Sequence, residues 1–131
     1  MTGELVLIVE DDANSRMLAR DVLESRGYRT LESDTAEEGL RLAAAERPEL
    51  ILMDIQLPGT SGIEALHRLR GDPTTRAIPV IAVTASAMAH DRGRILAEGF
   101  DAYQTKPIHV KDFLATVRET LDRRGQGAPP A

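Results

Sequence analysis

The sequence predicts an α/β protein, a doubly wound parallel sheet with helices on both faces. Short apolar runs recur five times along the chain, and segments with helical spacing of apolar residues lie between them. Strands alternating with helices of this length form βα units, whose strands pair in parallel. Three of the runs are apolar throughout, as strands buried on both faces are.

The runs are LVLIV at Leu5–Val9, YRTLES at 28–33, LILM at 50–53, IPVIAV at 78–83 and FDAYQT at 100–105. The first, third and fourth read as central strands, and the more polar second and fifth as edges. After the first run, Asp12 reads as an N-cap. Thr35 with Glu38 and Ser61 with Glu64 form S/T-x-x-E capping boxes that place two helix starts. Ala36, Leu40, Ala43 and Ala44 follow the first box with helical spacing. The final helix has the clearest apolar stripe, Val110, Phe113, Leu114, Val117 and Leu121.

The helix expected at 88–99 (MAHDRGRILAEG) is weak. It has few large apolar residues and an internal Gly93, which costs about 1 kcal/mol relative to alanine. It reads as a surface helix with a loose middle; the alternative is an element kept labile because it must move. Residues 1–124 form one domain, and 125–131 (GQGAPPA) read as a disordered tail.

A chain of 131 residues is long enough for a proper core. A net charge of −5 argues against general nucleic-acid binding, which calls for a basic footprint, and gives no attraction to a membrane surface. The opening MTGELVLIVEDD has no basic stretch, and its apolar run is too short for a signal peptide or membrane span. The expected location is cytoplasmic. The absence of cysteine excludes disulfides, thiolate metal sites and cysteine catalysis.

Ligands of an open parallel sheet bind outside the carboxyl ends of the strands. Here those ends carry Glu10, Asp11 and Asp12 after the first strand, Asp54 after the third, Thr84, Ala85 and Ser86 after the fourth, and Lys106 and Pro107 after the fifth. Taken singly, each has a bland explanation: a cap, a turn residue, a solvated lysine. Glu10, Asp11 and Asp54 together do not, because clustered like charges destabilise one another. One lysine offsets one of three negative charges, leaving about −2, which a divalent cation supplies. Oxygen ligands on so few side chains suit Mg²⁺. His67, His90 and His109 show no ligand spacing and read as surface residues.

Four stretches, LIVEDD (7–12), LILMDIQLPGTSG (50–62), VTAS (83–86) and YQTKPI (103–108), together resemble the receiver domain of two-component response regulators. The resemblance runs from about Leu5 to Leu121, and the wording is closest to stand-alone receivers of the DivK type. It implies a flavodoxin-like (βα)5 fold with strand order 2-1-3-4-5. It also implies that Asp54 is the phosphoacceptor, and that Asp11, Asp54 and the backbone carbonyl of Gln56 ligate Mg²⁺, with Glu10 acting through water and Mn²⁺ able to substitute. Lys106 and Thr84 would contact the phosphoryl group, Thr84 and Tyr103 would form the switch, and the Lys106–Pro107 peptide would be cis.

Glu10 stands where many members have aspartate. Gln56 and Ser86 occupy positions that vary in the family and tune phosphate lifetime, and His109 replaces an expected Ser or Thr cap. The implied function is that of a single-domain response regulator phosphorylated by a histidine kinase. It would signal through protein contacts with a downstream target, without binding DNA or membrane, and catalyse only its own phosphorylation and dephosphorylation. A phosphorelay intermediate exchanging with a histidine phosphotransfer protein, or a receiver detached from a hybrid histidine kinase, is the alternative. A haloacid-dehalogenase-like phosphatase is less favoured, because it carries a second acid where this chain has Gln56. A flavodoxin-like ligand binder is disfavoured by the acidic rim, and a degenerate, unphosphorylated receiver by the intact acids, Thr84 and Lys106.

Overall fold

The computed structural model describes residues 3–85 and 89–127. Strands and helices alternate in the order β1 (Leu5–Val9), α1 (Ala13–Glu24), β2 (Arg29–Ser33), α2 (Ala36–Glu46), β3 (Leu50–Asp54), α3 (Gly62–Gly71), β4 (Val80–Thr84), α4 (Ala89–Ala97), β5 (Ala102–Thr105) and α5 (Val110–Gly127). All pairings are parallel and the sheet order is β2-β1-β3-β4-β5, as expected.

Alternation along the strands divides the core into two layers. Leu7, Val9, Ile51, Met53, Val80 and Ala82 pack with residues of α2, α3 and α4, including Ala43, Leu66, Leu69 and Ile95. Val6, Ile8, Leu50, Leu52, Ile81 and Val83 pack on the other face with Ala19 and Leu23 of α1 and Phe113, Val117 and Leu121 of α5. Strands β3 and β4 are buried at every position, whereas β2 and β5 are partly open, as edge strands should be.

Three helix starts follow the sequence signals. The side chains of Asp12, Thr35 and Ser61 accept hydrogen bonds from the N–H groups of Ser15, Glu38 and Glu64. The capping boxes form by half only, because Glu38 turns to Arg41 and Glu64 to Arg68. A charged partner on the same helix face outcompetes a reach back to the cap.

Strand limits differ from expectation where a backbone N–H is used elsewhere. Tyr28 is buried, but its N–H donates to the Leu23 carbonyl and closes α1, so β2 begins at Arg29. The Ile78 N–H donates to Thr75 in a turn, and β4 begins at Val80 after Pro79. Phe100 is core beneath α4 rather than strand. The expected tail at 125–131 begins inside α5, which runs to Gly127, while 128–131 lie outside the described residues. Ser86 and Met88 also lie outside them, as does the side chain of His90. His67 and His109 are exposed.

Candidate functional site

The carboxyl ends of β1, β3, β4 and β5 meet at one rim. Past β1, the Glu10 N–H donates to the Ser33 carbonyl at 2.9 Å and extends the β1–β2 ladder by one step. Past β5, the Lys106 N–H donates to the Thr84 carbonyl at 2.8 Å. At the end of β3, Asp54 registers with Val83, and the Ile55 N–H donates to the Val83 carbonyl at 3.0 Å. The ladders carry these groups to the limit of the sheet and release them together.

Lys106 reaches over β4. Its Nζ lies 2.7 Å from Glu10 Oε1 and 3.1 Å from Asp54 Oδ2, tying the ends of β1 and β3 to that of β5. Asp54 Oδ1 accepts the Gln56 N–H at 2.9 Å, and Glu10 Oε2 accepts the Asp12 N–H at 3.0 Å. Glu10 and Asp54 are each only 4% exposed, so they are removed from bulk water despite their charge. Asp11 is exposed. Carboxylate oxygens of Glu10, Asp11 and Asp54 lie within 4.8 Å of one another, a grouping able to hold a metal ion.

Burial pushes the Glu10 carboxyl above its ordinary range, against the Lys106 ammonium and the Asp12 N–H, which favour the charged form; Asp54 adds to the upward push. Burial alone would lower Lys106, but hydrogen bonds to Glu10 and Asp54 and the attraction of both charges outweigh it and raise the ammonium. Asp12, held low by the backbone and side chain of Ser15, caps the helix outside this cluster.

Thr84 is buried at the end of β4, one residue beyond the partner of Asp54. Tyr103 pairs with Ala82 and is half-buried against the core layer of α2, α3 and α4. Its hydroxyl accepts a hydrogen bond from Arg92 Nε at 2.6 Å, and the Arg92 guanidinium carbon lies 4.9 Å from the ring centroid. The Lys106–Pro107 peptide is cis.

The sequence reading missed Arg92, Arg16 and Gly62. Arg92 and Tyr103 belong to different elements, and nothing in their spacing signals contact. Arg16 NH1 donates to the Glu10 carbonyl at 2.8 Å. At Gly62, a Cβ would lie 2.3 Å from the Asp54 carbonyl oxygen and 2.8 Å from Ile55 Cα. The Gly62 N–H donates to the Ile55 carbonyl at 3.0 Å, so α3 begins in direct contact with the backbone that carries Asp54. The glycine ended the stretch 50–62 that carried the resemblance, but its contact with the Asp54 backbone had no signal in the sequence.

Residues 6–118 match the response regulator receiver domain family. The polar-differentiation response regulator DivK of Brucella anthropi is 48% identical over 116 residues, covering 88% of this chain and 94% of that protein. DivK of Brucella abortus strain S19 is 47% identical with the same coverage. Among solved structures, a CheY-like receiver domain protein from Methanospirillum hungatei JF-1 superimposes with a TM-score of 0.86 at 32% identity, covering 95% of this chain and 98% of that one. The receiver domain of a sensor histidine kinase from Pseudomonas aeruginosa PAO1, which has a magnesium ion coordinated in its active site cleft, matches with a TM-score of 0.84 at 30% identity, covering 92% and 98%. With three acids and a lysine gathered where the strands of a 2-1-3-4-5 sheet end, this chain belongs to the response regulator receiver family.

Proposed function

We propose that Asp54 accepts a phosphoryl group in a Mg²⁺-dependent reaction and that the chain signals through phosphorylation-dependent protein contacts. The observation that carries this reading is the position of Lys106, bonded to both Glu10 and Asp54 in a buried acidic rim. The donor would be a histidine kinase, a histidine phosphotransfer protein or a small phosphodonor. A carboxylate oxygen of Asp54 forms a bond to phosphorus as the phosphorus–nitrogen bond of a phosphohistidine breaks, and the imidazole nitrogen keeps the electron pair. Such a transfer is limited by charge, and a fixed ammonium beside the nucleophile offsets the repulsion between carboxylate and phosphoryl oxygens.

The donor set fits a hard cation. The carboxylate oxygens of Glu10, Asp11 and Asp54 lie within 4.8 Å of one another, close enough to share one ion, and the receiver resemblance makes Asp11 and Asp54 the direct ligands, with Glu10 acting through water. The Gln56 carbonyl would complete the protein's share. When bound, Mg²⁺, or Mn²⁺ in its place, neutralises charge on the transferring phosphoryl group. The chain's own part is to hold Asp54 rigidly, through the Gln56 N–H and Lys106, in the orientation for attack.

Phosphate on Asp54 adds charge and acceptors near Thr84, whose hydroxyl turns toward it, and Tyr103 moves into the space behind. Thr84 lines a cavity of about 250 Å³ between α3 and α4, together with Gln56 and Ile95, which leaves its surroundings on that side loosely filled. The acidic surface favours protein rather than DNA as the downstream target. The chain acts on its own phosphoryl group alone, in the cytoplasm. No helix among the described residues is long and apolar enough to cross a membrane.

Transfer of labelled phosphate from a phosphorylated histidine kinase tests the chemistry. Asp54→Asn keeps the shape and loses the nucleophile, so label should fall to background while circular dichroism is unchanged. EDTA should have the same effect on the unaltered chain. Label persisting in either case refutes the assignment.

A further inference from the structure

The geometry points to Arg16 as a positioning residue for the metal-binding acids, an inference that rests on the Mg²⁺ reading above. The β1–α1 loop carries Glu10, Asp11 and Asp12 in succession, and their mutual repulsion favours opening it. The last step of the β1–β2 ladder uses the Glu10 N–H. Arg16, in the first turn of α1, reaches back to the Glu10 carbonyl with a donor at 2.8 Å. Its Nε holds Glu32 Oε1 on β2 at 3.2 Å, and Glu32 also meets Arg20 at 3.4 Å.

One guanidinium therefore joins the acid-bearing loop to the neighbouring strand. Arg16 and Glu32 are only 22% and 32% exposed at their side chains, so water competes incompletely for the bond. The Arg16 backbone N–H donates to the Asp12 carbonyl at 2.9 Å, which locks the far end of the same loop. Glu10 is thus fixed at its amide, its carbonyl and its carboxylate, and its carboxylate can face the cluster without the loop having to order first. A ligand set ordered before the ion arrives binds it more tightly.

The sign of the effect separates positioning from plain charge. A cation near a metal site repels the metal, so charge alone predicts that removing Arg16 tightens Mg²⁺ binding. Positioning predicts that it weakens. Arg16→Lys keeps the charge but gives up the planar fork that meets two partners at once. Positioning then predicts a smaller loss in the same direction, and charge predicts no change.

The test titrates Mg²⁺ alone into the full chain and into both variants, following amide signals near Asp11 and Ile55 by NMR. Unfolding midpoints in metal-free buffer are measured in parallel. The expected result is a Mg²⁺ dissociation constant raised roughly 10-fold in Arg16→Gln and less in Arg16→Lys, as for other groups that hold ligands in place. Equal or tighter binding by Arg16→Gln overturns the inference, as does Arg16→Lys binding like the unaltered chain. The lysine variant decides the matter if the glutamine variant does not fold. A lowered unfolding midpoint with an unchanged dissociation constant also overturns it, by showing a structural role only. If the unaltered chain itself binds no Mg²⁺, the metal reading fails first and takes this inference with it.

Discussion

Helices α4 and α5 lie against opposite faces of the same edge strand, β5, and are held very differently. Helix α5 sinks Phe113, Val117 and Leu121 into the layer it shares with α1, each at most 4% exposed. Among the described side chains of α4, Ile95 is the buried one, and its neighbours from Arg92 to Ala97 face water. One strand therefore has a fixed side and a loose side. Tyr103 projects toward the loose side, and Thr84 lines the cavity next to it. The proposed response of Thr84 and Tyr103 to a charge on Asp54 would occur where little packing has to be undone, because locally weak elements open most readily.

The largest effect should come from the fixed side. Phe113→Ala removes a fully buried ring and should cost about 3 to 5 kcal/mol, seen as a lower midpoint in urea. A loss below about 1 kcal/mol would mean that α5 is no better anchored than α4. The loose side should gain from Gly93→Ala. A Cβ there meets nothing within 4 Å, so the helix would gain about 1 kcal/mol, read as slower amide exchange across α4. If exchange stays fast, weak packing rather than glycine keeps α4 loose. The smallest effect concerns Arg92. Its contact with the Tyr103 ring is of the exposed kind, about 0.5 to 1 kcal/mol, and with the hydrogen bond it favours the observed Tyr103 position. Arg92→Leu should shift the Tyr103 ring signals in NMR in the direction that beryllofluoride, a stable mimic of the phosphoryl group on Asp54, is expected to move them in the unaltered chain. Unchanged ring signals would show that Arg92 does not bias the ring.

This asymmetry was partly legible in the sequence. The striped pattern from Val110 to Leu121 and the sparse one around Gly93 foretold which helix is anchored, because burial of apolar side chains produces both the pattern and the anchoring. The central strands were legible for the same reason. The convergence of Glu10, Asp54 and Lys106 followed from strand ends alone, since a parallel sheet delivers all its carboxyl ends to one edge. Arg16 and Arg92 were not legible. Each bonds a residue on another element through a long flexible side chain, and neither periodicity nor capping chemistry encodes where such a chain comes to rest. Strand limits at Tyr28 and Ile78 were misjudged because apolar character marks burial, whereas strand membership depends on where the backbone N–H finds its acceptor.

Gly62 bears on how the gene tolerates change. Any side chain at this codon would press on the carbonyl oxygen of Asp54 and on Ile55 Cα, and backbone atoms cannot swing aside as a flexible side chain can. A residue that handles no proton, metal or phosphate is thereby as constrained as one that does. If Asp54 has the proposed role, a survey of all single substitutions scored by signalling alone would rank position 62 beside 54, and only a separate measure of how much folded protein accumulates would tell scaffold from chemistry.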